Sequence, residues 1–221
     1  MANASFTRDE VILALDVLLQ AEGSPLTAHS DSIKELCSLL QELPIHPREN
    51  RRADFRNETG VNRQIGLYKT SCRTGKRDPN VGELFFAVAQ EFEDNTERLH
   101  SIAEAIRRNF SCYDTTFGSP SEEEGFPEGI LLGHLHRIIE KRGGKKYAVK
   151  DRCLICQLEP ELLYQPCGVL LEHHLTVDPV LMDSSKRYRE ADFITVCPNC
   201  HAALHRYRPW LNRDSCASLL R

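Results

Sequence analysis

Four cysteines stand in two short pairs, Cys153-Leu-Ile-Cys156 and Cys197-Pro-Asn-Cys200, forty residues apart. Four thiolates so spaced are the donor set of a tetrahedral structural zinc. Each pair fits a tight turn or a helix start, where both sulfurs reach one ion at about 2.3 Å. Such a metal supplies folding energy that a small β-rich unit cannot draw from apolar burial. The competing reading is four core cysteines without a ligand. Histidines crowd the same region: Leu171-Glu172-His173-His174 lies between the pairs, and His201-Ala-Ala-Leu-His205 follows the second. At i and i+4 of a helix, His201 and His205 share a face and can bind one cation together. Neighbouring strand residues point to opposite sides, so one of His173 and His174 can join them while the other faces elsewhere.

The elements that must carry these residues fall into two halves. Thr7 is an N-cap with Glu10 three residues on, a capping box opening a helix with Val11, Leu15, Leu18 and Leu19 on one face. Gly23-Ser24-Pro25 stops it. A second helix is expected from Ser32 to about Leu43, and further helical patterns over 82–92 and 95–109. Residues 45–80, rich in Arg, Asn and Gly, have no clean period and read as an irregular basic insert. Residues 111–127 mix Ser, Gly, Pro and acids and read as a linker between domains at 1–110 and 128–221. Beyond it Glu128 to Arg142 is helical and stopped by Gly143-Gly144. Strand-like text then follows, with a hairpin candidate around Val169–Leu175 and a closing helix from Pro198 to about His205. The fold class expected is α+β, a helical first domain followed by a small zinc-stabilised second one.

Composition narrows the class. With 41% hydrophobic and 27% charged residues the chain can bury a core, which excludes wholesale disorder, collagen and coiled coil. The longest apolar run, Val11 to Leu19, is broken by Asp16 and is far short of the roughly 18–20 residues of a membrane span. MANASFTRDE has neither a basic flank nor an apolar stretch, so a cytoplasmic location without membrane association is expected. The nine cysteines are odd in number and unevenly spaced, unlike a disulfide framework. Cys37 falls on an apolar helix face, while Cys72, Cys112, Cys167 and Cys216 have no partner spacing. Net charge is −4, yet Ile45 to Arg77 has nine basic residues against three acids, a local +6 that leaves −10 elsewhere. A nucleic-acid site needs a basic surface rather than a basic whole.

The wording EHH followed by DFITVCPNCHAALH resembles the HNH nucleases, and most of all the McrA-type branch, whose zinc cysteine pairs flank the catalytic motif. Glu128-Gly129, His136-Arg137 and Glu140-Lys141-Arg142 are similar to the lead-in helix of that branch, so the resemblance spans roughly residues 128–210. It implies a ββα-metal fold around one catalytic cation. In that pattern His173 is the hairpin ligand, His201 and His205 are the helix ligands, and His174 is the general base. Asp192 takes the place of the middle Asn, bracing the hairpin loop and orienting the base. Cys153, Cys156, Cys197 and Cys200 hold zinc. Two departures stand out: Asp replaces Asn at 192, and the branch's Glu two residues ahead of the His pair is Leu171 here. Glu172, one place later, reads as a solvent-facing strand residue.

The implied reaction is metal-assisted phosphodiester hydrolysis, with His174 taking a proton from water and the cation stabilising the departing 3′ oxygen. The ion could be Mg²⁺, Mn²⁺, Ni²⁺, Co²⁺ or Zn²⁺; imidazole ligation favours the later of these, and availability favours Mg²⁺. Arg206 and Arg208 are placed to meet backbone phosphate. Double-stranded DNA is the expected partner, with Arg48, Arg51, Arg52, Arg56, Asn57, Arg63, Lys69 and Arg73 as the residues that touch it. The segments Phe6–Glu10 and Phe55–Val61 also resemble the N-terminal halves of McrA-type enzymes that restrict methylated or phosphorothioated foreign DNA. Pro44, Ile45, Pro47, Phe55 and Tyr68 are the apolar residues that could line a pocket for a modified group. The alternatives are a nicking or invasive-element HNH endonuclease on unmodified DNA and a zinc DNA-binding protein without activity. A double-strand break needs two cuts, so one site per chain points to a homodimer.

Overall fold

The computed structural model describes residues 4–21, 23–110, 126–163 and 170–219, and the chain divides into two compact units, 1–111 and 112–221. Among the described residues helix dominates, with one two-stranded antiparallel sheet in the second unit. No described helix is long and apolar enough to cross a membrane. The expected linker lies outside the described residues up to 125. Phe126, at its far end, is buried in the second unit.

The first unit comprises α1 (Arg8–Gln20), α2 (Asp31–Glu42), α3 (Glu58–Thr74), α4 (Glu83–Glu91) and α5 (Thr96–Asn109). The capping box is present, with the Thr7 N–H donating to the Glu10 carboxylate at 2.8 Å. Helix α1 is the centre of the unit and packs against the other four. Its apolar run Val11–Leu15 is buried, and so are Asp9, Glu10 and Asp16. A helix buried on every side has to pair its charges. Asp16 receives Gln20 at 2.8 Å, His100 at 2.8 Å and Arg107 at 2.7 Å, which ties α1 to α5.

The basic insert is not wholly irregular: nearly half of it is α3. Asn57 caps this helix by accepting from the Gly60 N–H at 2.7 Å, and Gly75, at φ 68°, ends it in a left-handed turn. Only Val61, Ile65 and Ser71 are buried along it. So thin a buried face, with two glycines within the helix, hides the period from sequence.

Glu10 and Arg56 form a buried ion pair across that fold. The guanidinium donates to the Glu10 carboxylate at 2.6 and 2.9 Å, and to the carbonyls of Ala4 and Ser5 at 2.9 and 2.8 Å. It lies 4.0 Å from the Phe6 ring. These partners hold Arg56 at φ 49°, where a non-glycine residue is strained. Burial pushes the Glu10 carboxyl up, but His46, Arg56 and the Thr7 N–H override it and hold the pKa below the ordinary 4.5. A depressed carboxylate contributes stability above its unfolded pKa and loses it as pH falls through the folded value. Glu10→Gln should therefore destabilise the unit by about 3–5 kcal/mol at neutral pH, since Arg56 is left buried and unpaired. The difference from wild type, measured by urea unfolding, should shrink once pH falls below 4.5. A pH-independent difference would remove the ion pair from this role.

The second unit holds α6 (Ile130–Gly144), α7 (Pro160–Leu163), β1 (Glu172–Leu175), β2 (Phe193–Val196), α8 (Pro198–Arg206) and α9 (Arg213–Ala217). Helix α6 is buried along most of its length, His134, His136 and Glu140 included. Its end lies against the sheet so closely that a Cβ on Gly143 would sit 2.6 Å from the Phe193 ring. Strand β1 pairs with β2, opposing His173 to Thr195 and His174 to Ile194. The strands are thus not the ends of a tight hairpin around Val169–Leu175, of which Val169 lies outside the described residues. Residues 176–192 connect them, and the feet of that connection are tied where the Thr176 N–H and hydroxyl both donate to the Asp192 carbonyl at 2.9 Å. A small core of Cys153, Ile155, Leu171, Ile194, Val196, Cys197, Leu204 and Cys216 fills the space behind the sheet.

Candidate metal centres

The cysteine pairs converge. Cys153 and Cys156 sit in a turn whose Leu154 N–H donates to the Thr195 carbonyl at 2.9 Å, fastening the turn to β2. Cys197 is the N-cap residue of α8, and Cys200 lies in its first turn. The four cysteines can bring their sulfurs within 4.8 Å of one another, and Cys156 Sγ stands 3.7 Å from Cys197 Sγ. Sulfurs at about 2.3 Å from one tetrahedral ion stand about 3.8 Å apart. The set could hold a metal such as zinc. Burial raises the Cys153 thiol, but the backbone N–H groups of Cys156, Cys197 and Ile155 bring it down to about 7.

A second cluster joins Glu140, His174, His201 and His205. Glu140 reaches it from α6, His174 from β1 and the other two from α8. His201 Nε2 lies 2.9 Å from His205 Nε2 and 3.1 Å from Glu140 Oε1. His201 Nδ1 faces Glu172 Oε2 at 2.7 Å. A proton donated from Nδ1 to Glu172 leaves a lone pair on Nε2 facing another acceptor, the Glu140 carboxylate. That opposition is relieved by a second proton on His201 or by a cation between the donors. Burial lowers the His201 pKa, but Glu140 and Glu172 outweigh it and raise it to about 9. Donors at about 2.0–2.1 Å from a tetrahedral ion would stand about 3.3 Å apart, close to the spacings here. The residues fit a divalent cation.

Burial takes the His174 pKa down to about 4 and the His205 pKa to about 3, in both cases against the pull of Glu140. Glu140 itself is held well below 4.5: its burial acts upward, but His136, His174 and His201 act downward more strongly. The Leu175 N–H adds a hydrogen bond to Glu140 Oε1 at 3.0 Å, and His136 Nδ1 lies 3.3 Å from the same oxygen. His174 Nδ1 is 3.1 Å from Oε1 but off a good hydrogen-bond line, and it has no other polar partner. Trp210 closes the cluster from behind, stacked on His174 at 5.5 Å with Phe126 and His136 beside it. Trp210 thus packs against the histidines themselves.

Several expected site residues lie elsewhere than the resemblance implies. His173 is not in the cluster. Its Nε2 lies 3.0 Å from the Tyr147 carbonyl, on the opposite side of β1, because neighbouring strand residues alternate and His174 takes the inner place. Asp192 does not orient His174. Its carboxylate accepts from the Arg189 N–H at 2.7 Å and its carbonyl ties the connection, while the carboxylate beside His174 belongs to Glu140. Glu172 is exposed at its side chain but engaged with His201. Glu140 was missed, although His136 and Glu140 repeat on α6 the i, i+4 spacing of His201 and His205 on α8. Arg208, expected at phosphate, is spent on Glu128 at 2.6 Å and on the His205 carbonyl at 3.0 Å.

The basic residues of the first unit separate into two groups. Arg51 donates to the carbonyls of Gln41, Leu43 and His46, Arg56 is the partner of Glu10, and Asn57 caps α3. These three build the unit instead of presenting themselves to DNA, because each reaches a backbone group or charge that folding leaves unpaired. Arg48, Arg63, Lys69 and Arg73 are exposed, and Arg52 is half-exposed beside Asp54 at 3.0 Å. Of the apolar residues offered for a pocket, Phe55 packs against His46 and Tyr68 against Phe85 and Phe86. The segments Phe6–Glu10 and Phe55–Val61 meet in the Glu10–Arg56 pair. No protein-family model, curated protein or solved structure matches the chain.

Proposed function

We propose that the chain is a metal-dependent DNA endonuclease of the HNH type, with a ββα-metal site in the second unit and DNA recognition by the first. The observation that supports this best is the meeting of His201 Nε2 and His205 Nε2 at 2.9 Å, from a helix that follows an antiparallel strand pair bearing His174. His201, His205 and Glu140 would hold the ion. A divalent cation bound there supplies positive charge to a phosphate oxygen and to the leaving 3′ oxygen. His174 is the general base: the Glu140 charge 3.1 Å from Nδ1 favours a proton on that nitrogen, which leaves Nε2 to take one from water. Glu140 thus serves both the ion and the base. The exposed face of α3, with Arg63, Lys69 and Arg73, meets phosphate, and modified foreign DNA is the substrate that the resemblance of the first unit favours.

The test is digestion of matched supercoiled plasmids, unmodified, cytosine-methylated and phosphorothioated, with Mg²⁺, Mn²⁺, Co²⁺ or Ni²⁺. Wild type should cut a modified plasmid, and His174→Ala should lose at least about 10³-fold in rate while binding the ion by calorimetry as wild type does. Loss of ion binding in that variant would make His174 a ligand and leave the base unassigned. Equal cutting of all plasmids would move the substrate to ordinary DNA. No cutting under any ion would overturn the enzymatic reading.

A further inference from the structure

Glu172 opens β1, opposite Val196, and shares the inner face with His174. The chain leaves β2 at Val196, turns at Cys197 and enters α8, so the first turns of that helix fold back over the start of β1. This topology, and not chance on an open surface, puts the Glu172 carboxylate 2.7 Å from His201 Nδ1. His201 is then held between two carboxylates, Glu172 on its outer nitrogen and Glu140 on its inner one at 3.1 Å. An imidazole with a free Nδ1 can turn its ring and exchange tautomers, and each such state removes Nε2 from the donor set.

We propose that Glu172 is a positioning residue for the cation: it fixes the ring and tautomer of His201 so that Nε2 is presented as a ligand. It also makes that nitrogen a stronger donor, as a carboxylate hydrogen-bonded to a ligating imidazole does. The proposal rests on the Glu140/His201/His205 cluster being an ion site, and requires nothing of DNA. With two carboxylates flanking one ring, the ligand it serves is a cation and not an anion. Glu172 does not touch the ion. Its side chain is 55% exposed, so its removal leaves no buried hole.

The experiment uses the full chain with one equivalent of zinc on the cysteines, titrated with Co²⁺ and followed by calorimetry and by the visible Co²⁺ bands. Glu172→Ala should weaken Co²⁺ binding by about 10–100-fold and shift the bands, with zinc content and urea midpoint unchanged. Glu172→Gln keeps an acceptor for Nδ1 but not the charge, and should fall between. Wild-type Co²⁺ affinity in both variants would overturn the positioning role alone. Failure of the wild type to take any Co²⁺ beyond the zinc equivalent would overturn the ion site and this role with it. A lowered urea midpoint with unchanged Co²⁺ affinity would make Glu172 a structural residue only.

Discussion

Cys197→Ser should unfold the second unit while the first stays folded. The change removes one of four sulfurs, and it does so at the residue that starts α8 and whose carbonyl accepts the His201 N–H at 2.9 Å. A structural zinc contributes roughly 10–16 kcal/mol of apparent binding energy, as much as or more than the 5–15 kcal/mol by which a domain is ordinarily stable. The core behind the sheet is small, and two of its members are Cys153 and Cys197 themselves. Limited proteolysis should release a resistant fragment corresponding to α1–α5, and metal analysis should find the zinc gone. A Cys197→Ser protein that stays protected over α6–α9 and carries no metal would show that the cysteines are ordinary core residues.

Glu140→Gln should be the most damaging change that leaves the fold intact. The side chains are close in size, and the amide oxygen can still accept from the Leu175 N–H, now 3.0 Å from Oε1. What disappears is the negative charge among His136, His174 and His201. On the proposed reading this removes an ion ligand and the partner of the base together, so plasmid cleavage should fall by at least about 10³-fold and ion affinity by at least about 10²-fold. Calorimetry and plasmid nicking check the two separately. A variant that keeps both would mean that Glu140 merely satisfies buried histidines.

How much of this was legible in the sequence depends on the range of the interaction. The cysteine pairs and the His201–His205 spacing are local, and α8 obeys them. That one of His173 and His174 joins the helix histidines follows from strand alternation. Which one does so depends on packing beyond the strand: His174 faces the helix histidines, the place that the resemblance gives to His173. Glu140 stood in a correctly read helix, but nothing local marks a glutamate as buried; its partners come from β1 and α8. Arg56 carried the same difficulty in reverse. Inside a basic run it reads as a DNA contact, whereas Glu10, in the first turn of a separate helix, makes it part of the interior.

Trp210 is the chain's single tryptophan, and it lies stacked on His174 at 5.5 Å. Ultraviolet emission excited at the indole band therefore comes from one place, the back wall of the histidine cluster. Arrival of a paramagnetic ion at that cluster quenches it by proximity, so occupancy can be followed in real time in the unlabelled protein, free of any signal from the first unit.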